Sequence, residues 1–281
     1  MDRIPETPTF PCALTIAGSD PTGGAGVQMD LKTFSACGVW GCSAITALTV
    51  QGIHGVESVH GTGPEIVASQ VRILLKEMPV GAVKTGMLWD TSTIRAVCRT
   101  LPTQVPLIVD PVLAASSGGS LFEHGCEEAV DIYEKELIPR AHVFTPNLPE
   151  AEKILSCTIQ NDQDIEDAAR AFLDMGASSI VMKGGHLDEG TTVRDRFFTA
   201  DTRLVLEGPR SPHRLHGTGC CFSAALAAWI ARGSDPRTAF SRAKACVSHA
   251  VSHAVRSPAG WYLLMPEWRN DRSPAPPDTR S

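Results

Sequence analysis

Three stretches of the chain pair glycine-rich or proline-rich turns with side chains that can hold charge or move a proton. In Leu215-His216-Gly217-Thr218-Gly219-Cys220-Cys221-Phe222-Ser223-Ala224 a two-glycine turn runs into small residues suited to a helix. Gly217 and Gly219 let backbone wrap an anion, and the free N–H groups around Thr218, at the positive end of the helix dipole, supply donors for phosphate oxygens. A cysteine on that first turn sits in the same field, which lowers a thiol pKa and favours a thiolate able to accept a proton. Cys220 is therefore a candidate general base, against the plainer reading of a small buried hydrophobe.

The second stretch is Ala17-Gly18-Ser19-Asp20-Pro21-Thr22-Gly23-Gly24-Ala25-Gly26, ahead of a helix beginning near Val27. It is not a Walker A loop, because Gly24 and Ala25 stand where Lys and Ser or Thr are needed, and the GxGxxG frame fails at Met29. Its glycines still allow close approach of amides to a ligand, or simply a tight strand-to-helix turn. Asp30, one helical turn on, reads by itself as a solvated acid. In the third stretch, Thr145-Pro146-Asn147-Leu148-Pro149-Glu150, Asn147 caps a helix and Glu150 completes a capping box. The functional alternative has this pair hold Mg²⁺ through waters. Asp110 and Lys183, at or near strand ends, carry charges useful in phosphoryl transfer or in a structural ion pair; Asp110 and Glu150 are the candidate metal carboxylates.

The elements that must position these groups follow a βα rhythm. Residues 13–17, 43–50, 82–86, 107–112, 142–145 and 179–182 are short, apolar and stopped by turn residues, and they read as buried, mostly parallel strands. Residues 64–76 put Val67, Val71, Leu74 and Leu75 on one helical face behind Pro64, and 163–175 and 236–255 read similarly. Residues 193–198 and 203–206 suggest an antiparallel hairpin. The fold class is α/β, with ligands expected at the carboxyl ends of the strands.

Composition narrows the partners. The chain has 281 residues, 43% hydrophobic and 20% charged, with a net charge of −6 and no basic stripe, so a nucleic-acid binder is disfavoured. The nine cysteines contain no CxxC pair, which favours reduced, cytoplasmic thiols over disulfides or zinc. Residues 1–11 lack the basic and apolar regions of a signal peptide, and no apolar run approaches a membrane span. We read 1–11 as an N-terminal extension, 12–265 as a single domain and the proline-bearing 266–281 as a disordered tail.

Taken together, the three stretches with Asp30-Leu31-Lys32-Thr33, Ile45-Thr46-Ala47-Leu48-Thr49-Val50-Gln51, Lys84-Thr85-Gly86-Met87 and Met182-Lys183-Gly184-Gly185-His186 resemble the hydroxymethylpyrimidine/phosphomethylpyrimidine kinases of thiamine biosynthesis, in order from Cys12 to Val255. The resemblance implies a ribokinase-like domain, its mostly parallel sheet covered by helices on both faces. It further implies a cytoplasmic homodimer that uses ATP and Mg²⁺ to phosphorylate 4-amino-5-hydroxymethyl-2-methylpyrimidine and its monophosphate. Vitamin B6 kinases share the motif set and form the alternative, with a non-catalytic pyrimidine sensor behind them. By resemblance Gly18, Ala25, Asp30, Gln51, Met87 and Val112 form the substrate pocket. Lys183, Cys220 and Lys244 surround the transferred phosphate, with Asn147 and Glu150 on the nucleotide and metal side. A Gln amide offers one donor and one acceptor, which matches an amine beside a ring nitrogen. Two departures stand out: Ser116-Ser117-Gly118 lacks the lysine many relatives carry there, and Cys221 replaces a common threonine.

Overall fold

A computed structural model describes residues 10–52, 54–113, 126–185, 190–257 and 259–266. The Ser116-Ser117-Gly118 departure, His186 and nearly all of the proposed extension and tail lie outside the described residues.

In chain order the elements are β1 (Cys12–Ser19), α1 (Gly26–Ala36), β2 (Trp40–Gly52), β3 (Gly55–Gly61), α2 (Pro64–Glu77), β4 (Val80–Thr85), α3 (Thr91–Thr100), β5 (Leu107–Val109), α4 (Cys126–Ile132), β6 (Val143–Phe144), α5 (Leu148–Leu155), α6 (Asp162–Asp174), β7 (Ile180–Met182), β8 (Thr192–Phe198), β9 (Arg203–Pro209), α7 (Thr218–Ala231), α8 (Pro236–Ser252), β10 (Val255–Arg256) and β11 (Tyr262–Leu263). A nine-stranded sheet runs β3-β2-β1-β4-β5-β6-β7-β8-β9. Its centre from β2 to β7 is parallel, while β3, β8 and β9 are antiparallel. The anticipated strands and late hairpin are present. β3 was not anticipated, because Glu57, Ser58 and His60 break any apolar pattern.

Side-chain alternation along each strand divides the interior into two cores. Leu14, Ile16, Val83, Val109 and Phe144 pack with Val67 and Val71 of α2, Ile94 of α3, Ile154 of α5 and Phe172 of α6. Ala13, Ala82, Ile108, Val143 and Val181 pack the other face against Phe34 of α1, α7 and Phe240 of α8. The small side chains opposite α7 match that helix, which buries Ala224, Ala225, Ala227 and Ala228 completely, so helix and sheet approach closely. Because β1 pairs with both β2 and β4, the chain reverses its direction across the sheet there, and a crevice opens at the carboxyl ends.

Candidate active site

A cavity of about 770 Å³ lies along that edge. The end of β1 contributes Gly18 and the loop after it Ala25, the end of β2 contributes Gln51, and the end of β4 contributes Lys84, with Met87 just beyond the strand. Asp110 and Val112 follow β5, Asn147 and Glu150 follow β6, and Lys183 follows β7. Gly217, Thr218, Gly219 and Cys220 close the cavity from the start of α7, and Lys244 reaches it from α8.

The two glycine turns touch through their backbones. Gly217 has φ +83° and precedes α7; a Cβ there would fall 1.8 Å from the Gly24 carbonyl oxygen. Only glycine fits both the left-handed conformation and that approach. No side chain caps α7 among the described residues, which leaves N–H groups of its first turn facing the cavity.

Lys183 links the other charged groups. Its ammonium lies 2.7 Å from Asp110 Oδ1 and 3.9 Å from Glu150 Oε2, and a Cβ on Gly219 would sit 3.4 Å from it. Burial would raise the Asp110 carboxyl, but Lys183, Lys84 and the Ser223 hydroxyl, at 2.8 Å from Oδ2, hold it below the ordinary range. Glu150 is pushed up to about 7 by burial, with Lys183 opposing and Asp110 adding to the rise. Asn147 and Glu150 form the anticipated capping box, with Glu150 N–H donating to Asn147 Oδ1 at 2.9 Å and Asn147 N–H to Glu150 Oε2 at 2.8 Å.

These contacts decide how a magnesium ion would fit. Asp110 has both oxygens engaged by Lys183 and Ser223, whereas Glu150 Oε1 has no hydrogen-bond partner among the described residues. No cluster of three or more metal-binding side chains occurs among them. One free carboxylate oxygen at the cavity wall suits Mg²⁺, which keeps most of its waters.

Several expectations change. Asp30 is fully buried and does not line the cavity; its carboxylate accepts from Thr15 at 2.6 Å and pairs with Lys84 at 2.8 Å. It is not a surface acid, and its partner Lys84 stands at the cavity wall. Cys220 also differs: burial pushes its thiol up to about 11, assisted by Asp30 and Asp110, and Lys84 with the Gly26 N–H lowers it only in part. The helix field is outweighed by desolvation. Lys244 lines the cavity with its ammonium engaged by Asp195 at 2.8 Å and the Val193 carbonyl at 2.8 Å.

Sequence reasoning missed Lys84, Asp20 and His216. Lys84 lay in a quoted motif but looked like any strand residue, and its interest comes from burial beside Asp30. His216 Nε2 meets Asp20 Oδ2 at 3.0 Å across 196 positions of chain, a contact that no local pattern announces.

Residues 20–263 match the family model for phosphomethylpyrimidine kinase. The chain is 40% identical over 246 residues to the hydroxymethylpyrimidine/phosphomethylpyrimidine kinase of Bacillus subtilis, covering 86% of this chain and 90% of that protein. It is 39% identical over 240 residues to the thiamine biosynthesis bifunctional protein ThiED of Geobacter sulfurreducens, covering 85% of this chain but 48% of that longer protein. Among solved structures, the phosphomethylpyrimidine kinase of Clostridium difficile superposes with a TM-score of 0.74 at 36% identity, over 85% of this chain and 99% of that one. The Bacillus subtilis pyridoxal kinase in its ADP complex superposes with a TM-score of 0.82 at 29% identity, over 92% and 98%.

Proposed function

Because the chain belongs to the phosphomethylpyrimidine kinase family, we propose that it transfers the γ-phosphoryl group of ATP to the hydroxymethyl oxygen of 4-amino-5-hydroxymethyl-2-methylpyrimidine, and again to the resulting monophosphate. The observation that carries this reading is that Gln51, Met87 and Val112 share one cavity with Lys183 and the α7 turn. Met87 and Val112 offer soft surfaces to ring faces, and Gln51 offers a donor and an acceptor to a ring edge.

In transfer, a bond forms between the alcohol oxygen and the γ-phosphorus while the bond to the bridging oxygen of ADP breaks. The N–H groups of the α7 turn and the Lys183 ammonium face the charge that spreads over the transferring group. Cys220 is the proposed base: its thiolate takes the alcohol proton and becomes a thiol. Mg²⁺, held by Glu150 through water, would neutralise phosphate charge.

The pyridoxal kinase likeness supports a second reading, phosphorylation of a vitamin B6 alcohol at the same site. A purified sample assayed for ATP-dependent phosphorylation separates the two. We expect kcat/KM for the aminopyrimidine alcohol to exceed that for pyridoxal and pyridoxine; the opposite order would replace the first reading by the second. A homodimer in the cytoplasm completes the proposal. No helix among the described residues is long and apolar enough to cross a membrane, and exposed apolar residues on β2 support self-association.

A further inference from the structure

Gln51 is a selector only if its amide is held in one sense. An amide free to rotate by 180° presents donor and acceptor in either order and distinguishes little. Its surroundings are unusually explicit about that sense. Gln51 Nε2 is placed 3.3 Å from His216 Nε2, and Oε1 is 3.3 Å from the Thr49 hydroxyl. The Thr49 hydrogen, however, is directed at the Ser19 carbonyl 2.9 Å away, so Thr49 has lone pairs left for Gln51.

The hydrogen on His216 Nε2 is set by Asp20. Burial favours a neutral Asp20, but hydrogen bonds from His216 and Thr22 outweigh it and hold the carboxyl below its ordinary range. Asp20 Oδ1 accepts from the Thr22 N–H at 2.9 Å, and Oδ2 accepts from the Ala25 N–H at 2.8 Å and faces His216 Nε2 at 3.0 Å. A ring nitrogen facing a carboxylate carries the hydrogen. An NH₂ group turned towards the same nitrogen would then oppose a donor with a donor, whereas a carbonyl oxygen there accepts a share of the same hydrogen. Turning the amide satisfies both neighbours: Oε1 accepts from His216, and Nε2 donates to Thr49. One N–H and one lone pair of Gln51 remain for the cavity, in a fixed order. The ring lies close against Gly24, where an added Cβ would fall 2.7 Å from His216 Cδ2.

We propose that His216, held by Asp20, is a positioning residue that locks the Gln51 carboxamide and so gives the cavity its selectivity for a ring bearing an amine beside a ring nitrogen. The proposal rests on the aminopyrimidine reading above. It joins the loop after β1, the end of β2 and the α7 turn into one recognition device.

The test measures affinity by calorimetry for the aminopyrimidine alcohol and for its analogue with hydrogen in place of the 4-amino group. In folded protein, His216→Phe should weaken the aminopyrimidine about tenfold and leave the analogue nearly unchanged. KM should move more than kcat. His216→Gln, which can keep an N–H donor near the same point, should recover most of the loss, and Asp20→Asn should weaken discrimination in the same direction. In a Gln51→Leu background, His216→Phe should cost little more, because its effect passes through Gln51. Parallel losses for both alcohols, no recovery with Gln, or full additivity with Gln51→Leu would overturn the proposal and reduce His216 to packing. If the wild type instead prefers pyridoxine, the substrate assignment fails on that ranking alone. The same cycle run with pyridoxine then still judges whether His216 acts through Gln51.

Discussion

Burial, more than proximity to a helix end, governs the two titratable groups that matter most at the site. With its thiol pushed up to about 11, Cys220 is protonated near neutrality in the free protein, so a base mechanism predicts a rate that climbs on the alkaline side. Cys220→Ala should lower kcat by about 10²–10⁴-fold with pyrimidine affinity retained, and Cys220→Asp should move the rising limb of the pH–rate profile to lower pH. A Cys220→Ala enzyme with wild-type kcat would remove the base assignment. Glu150, raised to about 7, bears on stability as well. An acid with a raised folded-state pKa stabilises the fold below its unfolded value and loses that contribution as pH rises through about 7. If the ionised form holds the metal, apparent Mg²⁺ affinity should increase over the same interval, and Glu150→Gln should flatten that increase in a titration with a bound ATP analogue. The identities of both residues were legible in sequence. Their protonation was not, because desolvation is set by side chains from other strands.

Turn chemistry was the most legible level, since capping boxes, prolines at helix starts and glycine turns act over a few residues. The Asn147 and Glu150 box forms as its spacing implies. What spacing could not tell was which glycines are indispensable. Gly217 and Gly233 both have positive φ, +83° and +86°, yet a Cβ at Gly217 meets the Gly24 carbonyl at 1.8 Å and one at Gly233 meets nothing within 4 Å. Gly233→Ala should therefore cost only the left-handed backbone penalty, about 1–2 kcal/mol, and leave kcat intact. Gly217→Ala carries the same penalty plus a backbone collision that must part the two turns. Chemical denaturation should show a larger loss for Gly217→Ala, and the folded fraction should bind an ATP analogue weakly. Equal effects of the two substitutions would mean that the junction between the turns yields without consequence.

At the scale of the whole molecule, the alternation of strands and helices announced the two-sided sheet, and the order of the motifs placed their residues along one edge. The antiparallel β3 escaped notice because an edge strand with a solvated face needs no apolar pattern. That edge also bears on assembly. Beyond the pairing of Ser19 with Leu48, β2 runs on beside β3, and Leu48 and Val50 there are 52% and 48% exposed. Side chains on a strand alternate, so Val50 faces away from the cavity while its neighbour Gln51 faces into it. A two-fold contact through this surface would place the same residues of both protomers opposite each other and brace the strand that carries Gln51. Sedimentation should then show a dimer at micromolar concentrations. Leu48→Lys with Val50→Lys would set like charges against each other across the axis and give a folded monomer. In that monomer the KM for the pyrimidine should rise while the KM for ATP stays near its wild-type value, because only the β2 side of the cavity loses its support. A wild type that sediments as a monomer at every concentration would end the dimer proposal, and a monomeric double variant with unchanged pyrimidine KM would separate assembly from recognition.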